Sequence, residues 1–306
     1  MINIECSYMT LPYNGPVPVR GAIISENRFL KVSLQSVDYF ISVLPGLHEA
    51  TLEEIAFKIK YFFSNYSLNF SNINFSEKFF NLTPTDTFLH NIQNETLFNI
   101  EVLLLGMIQK THPKLFKNTV INKNELYRSE RGARAYEKSR CLKIKITPES
   151  VVETIRLIKD LHQLNPDLIL RLDGNRKFEL SDIIAFQKLL KNNISTESFE
   201  KIDYIEEPFK NFSDIFIFQK RAELKIAMDE SFSNYIKNGH AHFPQEIPVV
   251  IKPSLFGISS TYKWMLKHSQ NRVIISSCFE HPSISFGLIF LATERAKEYH
   301  GLESFL

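Results

Sequence analysis

Leu168-Ile169-Leu170-Arg171-Leu172 runs directly into Asp173-Gly174-Asn175-Arg176, a short apolar run that ends in an acid and a turn. The pattern recurs downstream. Ile202-Asp203-Tyr204-Ile205 ends in Glu206-Glu207-Pro208, and Lys225-Ile226-Ala227-Met228 ends in Asp229-Glu230-Ser231. Upstream, Cys141 to Ile146 carries Lys143 and Lys145; further on, Pro248 to Ile251 ends in Lys252-Pro253, and Val273 to Ser276 comes after it. Amphipathic stretches with helical spacing separate these runs: Ser150 to Leu164, Leu180 to Lys191, Ser213 to Glu223 and Ser260 to Ser269. Strands alternating with helices are the signature of βα units on a parallel sheet. Their ends recur about every 25 to 30 residues, the rhythm of a TIM-type barrel. No glycine-rich phosphate loop follows the first strands, which argues against an open nucleotide-binding sheet.

The first hundred residues have a different texture. Extended segments such as Phe29 to Leu34 and Tyr39 to Val43 are punctuated by Pro12, Gly15-Pro16 and Pro18, and predict a small antiparallel sheet. Thr51 to Phe63 starts with a capping residue and two acids and places Leu52, Ile55, Ala56, Ile59 and Phe62 on one helical face. A second helix is expected over Asp86 to Lys110, before the break at Thr111-His112-Pro113. The expected organisation is therefore an α+β capping domain over residues 1–110 and a TIM-type barrel over residues 111–306, an α/β fold.

Bulk properties narrow the function. The chain has 306 residues, 36 lysines and arginines against 34 aspartates and glutamates, and a formal charge of +2, too small a field to favour nucleic acid or an anionic membrane. Three dispersed cysteines, Cys6, Cys141 and Cys278, fit neither a disulfide framework nor a thiolate metal site. Met1 to Cys6 shows no basic segment leading into an apolar run, and stretches such as Val102 to Met107 are too short to span a bilayer, so a cytoplasmic protein acting on a small molecule is expected.

The charges at the strand ends carry the functional reading. Lys143 and Lys145 lie two apart on one strand and share a face. On a solvated face they would mean little; inside a barrel, each ammonium is expected to depress the other's pKa and make a neutral amine accessible. Asp-Gly is also an ordinary turn pair, so Asp173 alone says little. Three acids on three adjacent strand ends say more. They would converge at the barrel mouth, where like charges need a cation, and an all-oxygen donor set suits Mg²⁺. Which member of Glu206-Glu207 and of Asp229-Glu230 turns inward is left open by spacing. Lys252 ends an apolar run where an unpaired charge is costly, and barrel geometry puts it across the mouth from Lys143 and Lys145. Basic groups on both sides of a metal-bound carboxylate suit proton abstraction α to that carboxylate.

Lys143-Ile144-Lys145, Asp173-Gly174-Asn175-Arg176, Glu206-Glu207-Pro208, Asp229-Glu230-Ser231 and Ile251-Lys252-Pro253, in that order, resemble the motif set of the muconate-lactonising branch of the enolase superfamily. Within that branch, Leu170 to Arg176, and Ile275-Ser276-Ser277 followed by Glu280, are most similar to the o-succinylbenzoate synthase family. Ile41 to Gly46 followed by Thr51 to Glu54 resembles the family's cap, and His300-Gly301-Leu302-Glu303 its eighth strand. The resemblance implies a (β/α)7β barrel with an N-terminal cap. It implies that Asp173, Glu206 and Asp229 bind Mg²⁺, that Lys145 is the base, tuned by Lys143, and that Lys252 stabilises charge from the opposite face. It further implies that Asn175, Ser276, Ser277 and Cys278 line the pocket of a small carboxylate substrate, with Cys278 where the family pattern leads one to expect serine. The implied reaction is a dehydration in menaquinone synthesis. A racemase or epimerase of the same superfamily, and a catalytically silent barrel that only binds, are the alternatives. Arg20 is a candidate anion contact or a plain surface residue.

Overall fold

The computed structural model describes residues 4–19, 22–44, 47–65, 92–111, 113, 120–220, 222–237, 243–278 and 280–302. Arg20, Gly46, Glu303 and the start of the helix expected from Asp86 lie outside these residues.

The N-terminal unit is a meander of β1 (Ile4–Val19), β2 (Ala22–Leu34) and β3 (Val37–Ser42), paired antiparallel in that order. Gln35 and Ser36, both at positive φ, make the two-residue turn that joins β2 to β3, the backbone twist such hairpins need. The register of β1 slips between Pro12 and Val17, where prolines cannot serve the ladder. Helix α1 (Leu52–Asn65) begins as its sequence predicts: the Glu54 amide donates to Thr51 Oγ1 at 3.2 Å and the Thr51 amide to Glu54 Oε2 at 2.8 Å, a reciprocal cap. Its face of Leu52, Ile55, Ala56, Ile59, Phe62 and Phe63 is buried. Helix α2 (Asn94–Thr111) is buried along most of its length, between the N-terminal unit and the C-terminal part of the chain.

The rest is the barrel. Strands β4 (Glu125–Leu126), β5 (Cys141–Lys145), β6 (Ile169–Asp173), β7 (Ile202–Glu206) and β8 (Ile226–Ala227) form one parallel sheet in sequence order. A parallel bridge from Met228 to Val249 continues it to β9 (Val249–Ile251) and β10 (Val273–Ile275). His300 and Gly301 then close the ring, bridging to Lys123 on one side and Ser276 on the other. This is a TIM-type (β/α)7β barrel with an N-terminal α+β cap, and the eighth-strand segment seals it.

The connecting helices are α3 (Val151–Leu164), α4 (Leu180–Asn193), α5 (Thr196–Glu200), α6 (Ser213–Gln219), α7 (Glu230–Lys237), α8 (Ile258–Lys267) and α9 (Phe286–Thr293). The segments expected from Ser150, Leu180, Ser213 and Ser260 are all helical, although the third stops at Gln219 and the fourth begins two residues early. Between β4 and β5 the chain makes two 3-10 turns, Ser129–Arg131 and Ala133–Tyr136, where a barrel ordinarily inserts an α-helix. Among the described residues, no helix is long and apolar enough to cross a membrane.

Cap and barrel are pinned together by α2. Glu101 on α2 is buried and accepts from the Ile258 amide and from the amide and hydroxyl of Ser259, satisfying the free N–H groups at the start of α8. Asn94 donates to the Leu255 carbonyl at 3.0 Å, and the Phe40 amide of β3 donates to Ser283 Oγ at 2.9 Å. The C-terminal ends of the barrel strands therefore face the cap.

Candidate active site

Side chains alternate across a strand, so Lys143 and Lys145 on β5 point into the barrel, as do Arg171 and Asp173 on the paired β6. Asp173 is level with Glu206 in the β6–β7 register. Lys143 Nζ lies 3.1 Å from Asp173 Oδ2 and 2.6 Å from Glu206 Oε1, between the two carboxylates. On the far flank, Lys252 contacts Asp229 Oδ2 closely and Glu230 Oε1 at 3.0 Å. The expected acids and lysines thus meet at one mouth, with Lys143 on β5 and Lys252 just past the end of β9 on the other side of it.

The electrostatics distinguish the three amines. Burial alone would lower Lys143, but Asp173, Glu206 and Asp229 outweigh it and hold the ammonium above its ordinary pKa. The mutual depression expected of Lys143 and Lys145 therefore fails for Lys143, because the carboxylates that touch it dominate its electrostatics. Lys145, at the outer end of β5, is shifted the other way: desolvation lowers it, and Lys143 and Lys252 act in the same direction against Asp173 and Glu206. Burial likewise opposes the charge on Lys252, and Asp229 and Glu230 prevail over it.

Of the two pairs of acids, the first divides its labour and the second does not. Glu206 reaches Lys143, whereas Glu207, at φ +40° and only 1% exposed, turns its carboxylate under the next loop and accepts from the Asp229 amide at 3.0 Å and the Ser231 hydroxyl at 2.8 Å. Asp229 and Glu230 both touch Lys252. Burial pushes the Asp229 carboxyl well up, against the pull of Lys252 and with the repulsion of Glu230 and Glu206.

Among the described residues, no three His, Cys, Asp or Glu side chains are drawn close enough to grip an ion as they stand; lysine ammonium groups lie on the acids instead. The donor chemistry nonetheless fits a hard divalent cation. Asp173, Glu206 and Asp229 offer carboxylate oxygens only, at the ends of three consecutive strands.

The remaining predicted residues border this mouth. The Asn175 amide donates to Asp173 Oδ1 at 3.2 Å, and its side chain is exposed. Ser276 and Ser277 follow β10 and are partly buried; Cys278 is buried, with its amide donating to Glu280 Oε2 at 2.5 Å. Glu280 is itself buried, and burial holds its carboxyl above the ordinary carboxylate range. A cavity of about 330 Å³ lies between cap and barrel, lined by Leu47, His48 and Glu95 on one side and Arg176, Glu230 and Leu255 on the other. A larger hollow of about 480 Å³, bordered by Lys191, Phe199, Glu223 and Lys225, opens beside the start of β8, away from these charges, and no part of the charge cluster reaches it.

Sequence reasoning did not assign Glu95, Glu101 or Glu207 their places. Glu207 had a signal in the paired acids, but its inward turn depends on a positive φ that no residue type announces. His48 and Glu95 come from the cap, whose link to the mouth is purely tertiary.

No family model matches the chain. It is 33% identical over 133 residues to the o-succinylbenzoate synthase of Pasteurella multocida, a match covering 42% of this chain and 37% of that protein. It is 27% identical over 150 residues to the o-succinylbenzoate synthase of Yersinia pseudotuberculosis, covering 49% and 45%. The matched stretch thus spans less than half the length of these curated relatives. Among solved structures, o-succinylbenzoate synthase from Thermosynechococcus elongatus with Mg in its active site superposes with a TM-score of 0.66 at 18% identity, over 97% of this chain and 92% of that one. The L-Ala-D/L-Glu epimerase of Bacillus subtilis superposes with a TM-score of 0.67 at 13% identity, over 98% and 89%. The capped-barrel fold is shared with both, and the resemblance to the enolase superfamily, with o-succinylbenzoate synthases among the curated relatives, is borne out.

Proposed function

We propose that this chain is a Mg²⁺-dependent enzyme that removes the proton α to a carboxylate, and specifically an o-succinylbenzoate synthase, which dehydrates 2-succinyl-6-hydroxy-2,4-cyclohexadiene-1-carboxylate to 2-succinylbenzoate for menaquinone synthesis. The observation that carries the reading is the split of the lysines across the mouth: Lys143 on Asp173 and Glu206, Lys252 on Asp229 and Glu230.

Asp173, Glu206 and Asp229 would hold the metal. Mg²⁺, when bound, supplies positive charge that stabilises the substrate carboxylate as negative charge builds on it. Lys145, whose pKa its surroundings lower, takes the proton from the carbon next to that carboxylate. The electron pair of the broken C–H bond becomes part of the ring's π system as the C–OH bond breaks. The departing hydroxide receives the same proton back from Lys145 and leaves as water, so no oxidant or further reactant is needed. Lys143 remains an ammonium throughout, held so by its carboxylates, and its charge disfavours a second charge on Lys145. Lys252 faces the developing charge from the opposite flank. Asn175 and the Ser276 to Cys278 wall border the substrate.

Incubation with the cyclohexadiene substrate tests this directly: aromatic product absorbance should grow in the ultraviolet with Mg²⁺ and not without it. Amines on both flanks also suit a two-base exchange, so N-succinyl amino acids in D₂O form the second arm. Deuterium incorporation there, with no aromatic product, would replace the synthase reading by a racemase.

A further inference from the structure

Glu207 occupies a position that the proposed chemistry leaves without a role. It follows one proposed metal-binding acid, Glu206, and does not face the mouth. Its main-chain carbonyl accepts from the Arg176 amide at 2.6 Å, which fastens the turn after Asp173. Its own amide donates to the Ala227 carbonyl at 3.0 Å, and its carboxylate accepts from the amides of Asp229 and Ser231 and the Ser231 hydroxyl. One residue is therefore bonded to the loops of all three proposed ligands.

The backbone is committed to this arrangement. Asn175, Arg176 and Glu207 all have positive φ, at 44°, 56° and 40°, a conformation that costs non-glycine residues free energy and persists only where surrounding bonds impose it. At Gly174, a Cβ would come within 2.6 Å of Pro208 Cα, so the two turns are in direct backbone contact there. The Gly174 amide also donates to the Glu206 carbonyl, and the Phe178 amide to that of Pro208.

We infer that Glu207 is a positioning residue that sets the spacing of Asp173, Glu206 and Asp229 and thereby the affinity of the site for its divalent cation. The inference rests on the reading of those three acids as metal ligands. A carboxylate is suited to the task because it accepts from three donors at once, which a hydrocarbon of equal size cannot do. Loss of partners that orient metal ligands commonly weakens metal binding by about 10- to 100-fold.

The test is the midpoint of Mg²⁺-dependent thermal stabilisation of the full chain, with no substrate present. Glu207→Leu is expected to raise that midpoint about tenfold or more, whereas Glu207→Gln, which keeps one acceptor oxygen, should stay within about threefold of wild type. Ser231→Ala, which removes a single donor from the far side and is milder should the leucine variant not fold, should raise it by a smaller factor. A lower melting temperature without Mg²⁺ but an unmoved midpoint in Glu207→Leu and Ser231→Ala would overturn the inference, leaving Glu207 a structural residue. Asp229→Asn separates the two levels: if it abolishes the Mg²⁺ response while the Glu207 variants leave it untouched, only the positioning role falls. If wild type shows no response at all, the metal reading falls and takes this inference with it.

Discussion

Two groups of charges occupy the same barrel lumen, two residues apart on β6, and they are built on opposite plans. Around Arg171, which is 1% exposed, charges are matched: Nε donates to Asp203 at 3.0 Å, Nη1 to the Tyr299 carbonyl at 2.5 Å, and the guanidinium lies over the Tyr204 ring at 4.8 Å. Arg272 binds both Asp203 oxygens, at 2.8 and 3.1 Å, and both Glu298 oxygens, at 3.0 and 2.8 Å. A slip in the β6–β7 register between Leu170 and Arg171 lets Asp203 reach these arginines. Around Asp173, by contrast, acids crowd acids and the turns are strained. Arginine–carboxylate pairs hold the barrel together near the strand starts; at the strand ends four carboxylates share the two ammonium groups of Lys143 and Lys252, and acids that repel one another are open to a further cation.

The contrast breaks most visibly at Lys145. Lys145→Ala should lower kcat in the aromatisation assay by about 10³-fold, within the range attributable to a general base, and leave the thermal midpoint nearly unchanged. Asp203→Ala should do the reverse. It leaves the buried Arg171 and the neighbouring Arg272 without their shared partner, costing about 3–5 kcal/mol in urea denaturation, while the residual folded protein keeps its kcat. Equal losses of activity and stability in both variants would dissolve the distinction.

His300, in the closing segment, sharpens the comparison through pH. It is fully buried, accepts from the Ile275 amide at Nδ1 and lies 3.1 Å from the Arg295 carbonyl at Nε2, and burial pushes its pKa down to about 4. Between pH 6.5 and about 4 the unfolded chain binds a proton that the native state refuses, so stability falls as pH falls through that window. The full effect is about 3 kcal/mol at about 1.4 kcal/mol per pH unit. Glu101, raised to about 7 by burial, contributes with the opposite sign over an overlapping range. The measurement is therefore the difference in urea midpoints between wild type and His300→Gln, which should shrink on acidification. The smallest effect belongs to the surface: Lys191 and Glu223 are 2.6 Å apart but about half exposed, and Lys191→Ala should change stability by less than about 0.5 kcal/mol.

How much the sequence discloses depends on where the information lies. The barrel is legible because strands β5 to β9 are short, largely apolar runs with a charge at or just past their ends, and the amphipathic helices α3 and α4 announce their buried faces. Helix α9 is not, because Phe286 to Thr293 is apolar nearly all round and has no period to detect. Strand β4 is two residues set among polar neighbours, Asn122 to Asn124 before it and Arg128 after it, so no apolar run marks it. The 3-10 connection before β5 and the inward Asp203 depend on tertiary pairing. At the mouth, residue types and spacing bring Asp173, Glu206, Asp229, Lys143, Lys145 and Lys252 into view together, whereas the state of each amine does not follow from spacing. Lys143 is charged by its carboxylates and Lys145 is pushed towards the neutral form by desolvation, a distinction set by distances across the barrel.

The most direct test of the metal site is a crystal structure determined with Mg²⁺ and 2-succinylbenzoate. The account predicts one ion with oxygens of Asp173, Glu206 and Asp229 at about 2.1 Å, and Lys145 and Lys252 on opposite faces of the product ring. Acids still bound to Lys143 and Lys252 at saturating Mg²⁺, or both lysines on one face of the ring, would contradict it.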